Sequence, residues 1–375
     1  MDLLACRKEL DGIDRQIVEL FEKRMKICGD VARSKIESGK AVHDPEREQQ
    51  KLAAVKELAH GDFNQQAVQE LFAQMMTISR RYQYGLLAAS GRSVKPGFEK
   101  VTEIPKAGVR VVHQGVEGAY SHAATLQYFG SDADIHHVQT FEDAMKEVWD
   151  GTSDYAVLPL QNSSAGAVID NYDLLMKYQN HIVAEVFLPV SHFLLGHPDA
   201  ELSDIRTVYS HPQALMQSSE YLNAHKEWKQ VRLENTAVAA RKVTADGDKS
   251  QAAVASEIAG KLYGLKALAS AIQNNQGNTT RFIVLTKKPI YHEKASKISI
   301  SFELPHRVGT LYNILNHISY NGVSMQMIES RPVPGRNWEY RFFIDMEGNL
   351  DDARICNALT AISQEAQNLR ILGNY

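Results

Sequence analysis

Two positive charges sit where an aliphatic side chain is expected. Leu10, Ile13, Ile17, Leu20, Ile27 and Val31 recur every three or four positions, the spacing of one face of a long amphipathic helix. Arg24 falls on that face, seven residues after Ile17, and Lys35 follows eleven residues later, about three turns at ~3.6 residues per turn. A cation on an apolar face is costly unless it is paired. One alone reads as a side chain snorkelling at a bundle end. Two on one face, with no acid on the stripe to match them, point to an anionic ligand held among helices. A second set of residues is uncharged. Hydroxyl and amide side chains follow short β-type runs at Gly115–His122, Pro159–Gly166, Ser210–Gln213 and Asn278–Phe282. Each is compatible with an ordinary turn, and the Gly-rich strand-to-helix turn at Gly115 also offers backbone N–H groups to an anion. Together, four polar strand ends could converge on one cleft. His211 reads as structural within its Ser-His-Pro turn.

The elements that must position these groups differ along the chain. Residues 1–88 read as helical throughout. Asp44-Pro45-Glu46 marks a helix start with an N-cap and a proline at the first position, and His60-Gly61-Asp62 breaks that helix before a third one. Three helices with one long member form an incomplete bundle, so dimerisation is expected to bury the seam. Residues 89–107 are polar, contain two prolines and lack periodicity, which reads as a linker. From Val109 to about Thr286, β-rich runs alternate with helical patterns, which predicts an α/β domain with largely parallel sheets. The apolar run from His181 to Gly196 could carry the chain across to a second lobe, and ligands in such folds bind at strand ends or between lobes. Residues 297–375 read strand, helix, strand, strand, helix, strand, a ferredoxin-like unit.

The first region resembles the all-helical class of chorismate mutase over residues 3–88. The matching pattern is Leu3 to Arg7, Ile13 to Leu20, Lys23-Arg24, Val31 to Lys35, Asp44 to Glu48, and Ser79 with Gln83. The resemblance implies that Arg24, Lys35 and Arg47 bind the carboxylates and ether oxygen of chorismate, and that Arg7 reaches into the partner subunit's site. It places Asp44, Glu48, Ser79 and Gln83 on hydroxyl, ether or carboxylate groups. The rearrangement needs no nucleophile or metal. It needs a compact conformer and donors at the ether oxygen, where negative charge builds; Lys35 and Gln83 are the expected donors there.

The middle region resembles prephenate dehydratase over about 180 residues. The motifs, in that family's order, are the turn from Gly115 to Ser121, the PLQNSSAG loop, the SHPQ turn, Asn235-Thr236-Ala237, and the triplet Thr280-Arg281-Phe282. The resemblance implies that Thr280 is the general acid that protonates the departing hydroxyl of prephenate as carbon dioxide leaves. Asn162, Ser163 and Ser164 would hold the substrate, with Tyr120, Ser121, Ser210, Arg281 and Phe282 also in the site. This chain has Gln161 where the family usually has glutamate, and Val116 where it often has proline. The last region resembles the ACT regulatory domain. Gly309, Thr310 and Leu311, with Glu329, Ser330 and Arg331 of an ESRP segment, would bind phenylalanine between two subunits. Thr310 stands where that family often has alanine.

The expected architecture is therefore multidomain: a helical mutase bundle over 1–92, a two-lobed, periplasmic-binding-protein-like dehydratase domain over 108–286, and an α+β sensor over 297–375. In the 375 residues, 44% are hydrophobic and 23% charged, values of a soluble globular protein. A net charge of -4 gives no reason to expect nucleic acid or an anionic membrane as partner. Cys6, Cys28 and Cys356 lack metal-ligand spacing and read as reduced packing residues. The N-terminal residues carry charge early, and no run approaches a membrane span, so a cytoplasmic location is expected, with no cofactor and no metal. A pure binding protein is the contrasting reading; Thr280 and the two seam cations are what binding alone would not require. A preference for the aminated substrate arogenate is left open.

Overall fold

The computed structural model describes residues 2–92 and 97–375. The chain divides into two compact units, Met1–Gly97 with Ser296–Ile371, and Phe98–Ala295 with Leu372–Tyr375.

The first unit begins with α1 (Leu3–Ser38), capped by the Asp2 carboxylate and ended by Gly39 in the left-handed conformation. α2 (Pro45–Leu58) starts where the sequence places it: Asp44 Oδ1 accepts the Arg47 N–H at 3.1 Å and Pro45 takes the first position. α3 (Asp62–Leu87) follows the break at Gly61 and runs into a short π-helical turn at Ala88–Arg92. The 36 residues of α1 outreach the 14 of α2 and 26 of α3, so only its C-terminal half is covered. Ala32, Val55, Met76 and Tyr84 are buried there, whereas Leu10 and Ile17 remain more than half exposed. The expected common face is therefore split. Arg24 engages α3 and Lys35 the α1–α2 connection, and the aliphatic stripe before them is open.

The expected linker needs correction. Its residues 93–96 lie outside the described residues, but parts of the rest are built into the fold. β1 (Glu99–Val101) pairs in parallel with Ile290–His292, Phe98 packs edge-on against His181, and Ile104 is buried in the second unit's core. Three apolar side chains within a polar stretch were enough to fix it.

The second unit continues with β2 (Arg110–Gln114), α4 (Tyr120–Phe129), β3 (Asp134–Val138), α5 (Phe141–Asp150), β4 (Tyr155–Asn162), β5 (Gly166–Ala167), α6 (Ile169–Lys177) and β6 (His181–Pro189). The chain then crosses to a second lobe: β7 (Phe193–Gly196), β8 (Thr207–Ser210), α7 (Pro212–Gln217), α8 (Ser219–Asn223), β9 (Lys229–Arg232), α9 (Thr236–Asp246), β10 (Gln251–Ala255), α10 (Glu257–Tyr263) and β11 (Lys266–Ala269). It returns through β12 (Thr279–Thr286) and β13 (Ile290–His292). One sheet has the order β6-β12-β4-β2-β3 and the other β11-β7-β10-β8-β9. The sheets are mixed, not largely parallel: β12 runs antiparallel to both β4 and β6, and β7 antiparallel to β10 and β11. Strands that leave one lobe or re-enter it run against their neighbours, which an alternating pattern does not reveal. The two crossings are bonded to each other, Val190 N–H to Asn278 O at 2.8 Å and Ile272 N–H to His192 O at 3.0 Å.

The chain then re-enters the first unit with β14 (Lys297–Leu304), α11 (Thr310–Tyr320), β15 (Met325–Pro332), β16 (Tyr340–Glu347), α12 (Ala353–Glu365) and β17 (Gln367–Asn374). β14 and β15 flank β16 antiparallel, in the sheet order β15-β16-β14-β17. This is the βαββαβ order expected from sequence.

Candidate active sites

In the helical region, Arg24 donates from Nη1 to Ser79 Oγ and, at 3.3 Å, to Met75 O of α3. Lys35 Nζ donates to Val42 O at 2.6 Å, which spends one of its three donors. Glu48, on the first turn of α2, receives Arg80 Nη1 at 2.5 Å. Gln83 is buried, and its Oε1 has no hydrogen-bond partner. A buried polar atom without a partner is uncommon in native structures and suits a ligand contact. Arg7 and Arg47 are exposed, and Asp44 serves as the α2 cap. Sequence reasoning missed Arg80, which carried no periodic or motif signal.

In the second unit, a cleft of about 520 Å³ opens where the strand ends meet. It is lined by residues from both lobes, among them Tyr120, Ser121, Asn162, His192, His211, Asn235, Thr236 and Thr280. Thr280 faces Asn162 across the β12–β4 ladder, and its Oγ1 accepts Asn162 Nδ2 at 2.9 Å. Asn162 is held from all sides: Nδ2 also donates to Asn278 Oδ1 at 2.8 Å, and Oδ1 accepts the N–H groups of Ser164 and Ala165. The α4 turn is braced from the second lobe by Ser256 Oγ and Tyr263 OH, which donate to the carbonyls of Gly118 and Glu117. Gly118 has φ of +85°, and a Cβ there would meet Ala259 Cα at 3.2 Å. Only glycine fits. α4 has no side-chain cap, so its first N–H groups are open to an anion, while Asn235 caps α9 through Val238 N–H.

Among the described residues no lysine or arginine lines this cleft, and one carboxylate, Glu234, does. Burial lowers the affinity of His211 and His192 for a proton, with the Gln217 contact to His192 opposing it. Burial likewise raises the Tyr120 phenol well above its usual range. Tyr120 OH donates to Ser191 O at 2.7 Å and lies 3.0 Å from His192 Nδ1, and His192 Nε2 meets Gln217 Oε1 at 3.0 Å. His192 and Gln217 were not foreseen; the signal was their place beside the interlobe crossing.

Several expected site residues are elsewhere. Alternation along β12 sends Thr280 and Phe282 to the cleft and Arg281 to the other face. There Arg281 Nε donates to Glu185 Oε2 at 2.7 Å and Nη2 to Tyr375 OH at 2.6 Å. Gln161, the cross-strand partner of Arg281, is absent from the cleft lining for the same reason. Ser210 is fully buried and its Oγ donates to Val254 O at 2.6 Å. Ser163 and Ser164 tie the PLQNSSAG loop to residues 275–279 instead of lining the cleft. His211 caps α7 through Gln213 N–H, as its structural reading requires.

In the βαββαβ region, Gly309, Thr310 and Leu311 line a pocket of about 290 Å³ with Pro305, His306 and Tyr340. Gly309 has φ of +82° at the start of α11, a conformation glycine adopts without strain. Glu329, Ser330 and Arg331 lie on the edge strand β15 and do not line that pocket.

Comparison with known proteins bears on both regions. A family model described as chorismate mutase type II matches residues 6–84, and one described as prephenate dehydratase matches residues 111–290. The chain is 34% identical over 382 residues to a bifunctional chorismate mutase/prephenate dehydratase of Enterobacter agglomerans, covering 100% of this chain and 95% of that protein. Among solved structures, a prephenate dehydratase from Arthrobacter aurescens in complex with L-Phe is 29% identical, with a TM-score of 0.66 over 71% of this chain and 89% of its own. GqqA, described as a novel type of quorum quenching acylase, is 32% identical, with a TM-score of 0.65 over 70% of this chain and 96% of its own. The two matched regions are those that carry the helical cations and the strand-end cleft; the chain belongs to the bifunctional chorismate mutase/prephenate dehydratases of phenylalanine biosynthesis and has both activities.

Proposed function

We propose that the two reactions run in separate sites with the following residues. Chorismate binds among α1, α2 and α3, with Arg24 and Arg47 on its carboxylates and Arg7 supplied across a dimer formed by the open face of α1. Lys35, with donors to spare, and the N–H group of the Gln83 side-chain amide face the ether oxygen, which leaves the unpartnered Gln83 Oε1 to accept from a substrate hydroxyl; Asp44, Glu48 and Ser79 meet the remaining polar groups. As the ether bond breaks and the new carbon–carbon bond forms, negative charge grows on that oxygen, and fixed donors there lower the barrier.

Prephenate binds in the cleft of the second unit. The observation that carries this reading is the Thr280–Asn162 contact. Because Thr280 Oγ1 accepts from Asn162, its own proton is free to point at the substrate hydroxyl. The ring carboxylate leaves as carbon dioxide, its bonding pair enters the ring, and the hydroxyl departs with the Thr280 proton as water. Solvent restores that proton, and one proton is consumed overall. A cation-free cleft suits this step. The departing carboxylate loses its charge, so a strong cation on it would favour the ground state over the transition state. The α4 N-terminus supplies weaker N–H donors.

The proposed functional segments are 1–92, 108–286 and 297–375, the last an ACT domain that binds L-phenylalanine at Gly309–Leu311 and, from the facing subunit of a dimer, the Glu329–Arg331 strand. Feedback inhibition of the dehydratase follows if the ligand favours one packing of the two domains. The proposed location is the cytoplasm; among the described residues no helix is long and apolar enough to cross a membrane. Assaying Thr280→Ala on prephenate tests the chemistry: loss of phenylpyruvate formation is expected, and a rate within threefold of wild type would remove Thr280 from its role.

A further inference from the structure

Arg80 has only 6% of its side chain exposed, yet it carries a full charge between two carboxylates from distant parts of the chain. Nη1 lies 2.5 Å from Glu48 Oε2 on α2, and Nε lies 3.1 Å from Glu365 Oε1 at the end of α12. Nη2 donates to Thr77 Oγ1 at 3.2 Å, so the guanidinium plane is fixed on three sides. Glu365 is itself held: Tyr84 OH donates to Oε1 at 3.1 Å, and His317 Nε2 of α11 lies 3.0 Å away. Tyr84 and His317, both about 1% exposed, pack edge to face with centroids 5.6 Å apart. Further contacts join the same elements, Gln74 to Tyr312 OH and Arg81 over the Tyr320 ring. A buried guanidinium is tolerated only when charge and geometry are both matched.

The network reaches the proposed chorismate site through Glu48. A free carboxylate beside a dianionic substrate repels it; one neutralised by Arg80 through Oε2 does not, and among the described residues nothing bonds Glu48 Oε1, which can accept a substrate hydroxyl. We propose that Arg80 is a positioning residue of the mutase site and that the C-terminal βαββαβ region, through Glu365, holds it there, making chorismate binding depend on α12. This rests on the reading that Glu48 contacts chorismate.

The test uses the full-length chain with chorismate, and prephenate as the control substrate. Glu365→Gln keeps the shape and removes the charge, and is expected to raise the KM for chorismate about three- to tenfold, with kcat within twofold and dehydratase activity on prephenate unchanged. Arg80→Met should raise it further, and Arg80→Lys should recover part of the loss. A fall in kcat of both activities together would indicate a merely structural role and overturn the proposal, as would an unchanged KM in Glu365→Gln. Glu48→Gln separates the premise from the inference. Wild-type chorismate kinetics in Glu48→Gln would overturn the proposal through its premise; a raised KM there with wild-type kinetics in Glu365→Gln would overturn the coupling alone.

Discussion

The helical site and the interlobe cleft, each proposed to take a dicarboxylate, are built from opposite materials. The first offers fixed cations on rigid helices: Arg24 bonded to α3 and Lys35 bonded to the α1–α2 connection. The second offers hydroxyls, amides and open helix N–H groups, with no lysine or arginine among the described residues on its walls. The difference follows the charge that moves. In the mutase reaction negative charge grows at an ether oxygen and both carboxylates stay, so permanent positive charge helps throughout. In the dehydratase reaction one carboxylate is discharged, and a cation gripping it would hold the substrate back. On the proposed reading, what the second site needs is a proton at one place, and the Asn162–Thr280 pair aims it.

This contrast can be broken in order of expected effect. Removing the aimed hydroxyl in Thr280→Ala should lower kcat on prephenate by about 10²–10⁴-fold, the range of general acid catalysis, measured as phenylpyruvate appearance. Removing a fixed cation in Lys35→Ala should lower chorismate turnover by on the order of 10²-fold, the loss typical of one donor to developing charge, with prephenate turnover within twofold. Arg281 tests the face assignment. Arg281→Met removes the cation that Glu185 meets at 2.7 Å in a mostly buried setting, so a loss of stability is expected, read by urea unfolding, while KM for prephenate holds. A KM effect without the stability loss would return Arg281 to the cleft.

The smallest effect depends on pH. Burial pushes the Glu365 carboxyl up, but His317 and Arg80 override it and pull it down to about 2. A carboxyl depressed in the folded state stabilises above its ordinary range and loses that contribution as pH falls towards the folded value. The stability gap between wild type and Glu365→Gln should be constant above about pH 5 and shrink below the usual carboxylate range. A gap that widened on acidification would contradict the assignment.

Much of this was legible in the sequence where local chemistry decides it. Asp44-Pro45 starts a helix, the apolar run up to Gly196 crosses between lobes, and the four polar strand ends meet in a cleft, though not all of their hydroxyls line it. What was not legible depends on partners distant in the chain. Arg281 reads as part of a motif, but β-strand alternation beside Thr280 turns it to the other face, where Glu185 and the C-terminal Tyr375 receive it. Ser210 reads as a site hydroxyl, but it donates to Val254 O in the interior. Residues 99–104 read as linker because their composition is polar, although Val101 and Ile104 had a core to join. Arg80 was invisible, since Glu365 lies 285 residues away.

The central claim is that chemically distinct sites divide the two reactions, with Thr280 serving the second alone. The direct measurement supplies chorismate to Thr280→Ala and follows chorismate, prephenate and phenylpyruvate together. The account predicts chorismate consumption at the wild-type rate with prephenate accumulating in matching amount. If chorismate consumption fell in step with phenylpyruvate formation, the division of the two reactions would be contradicted.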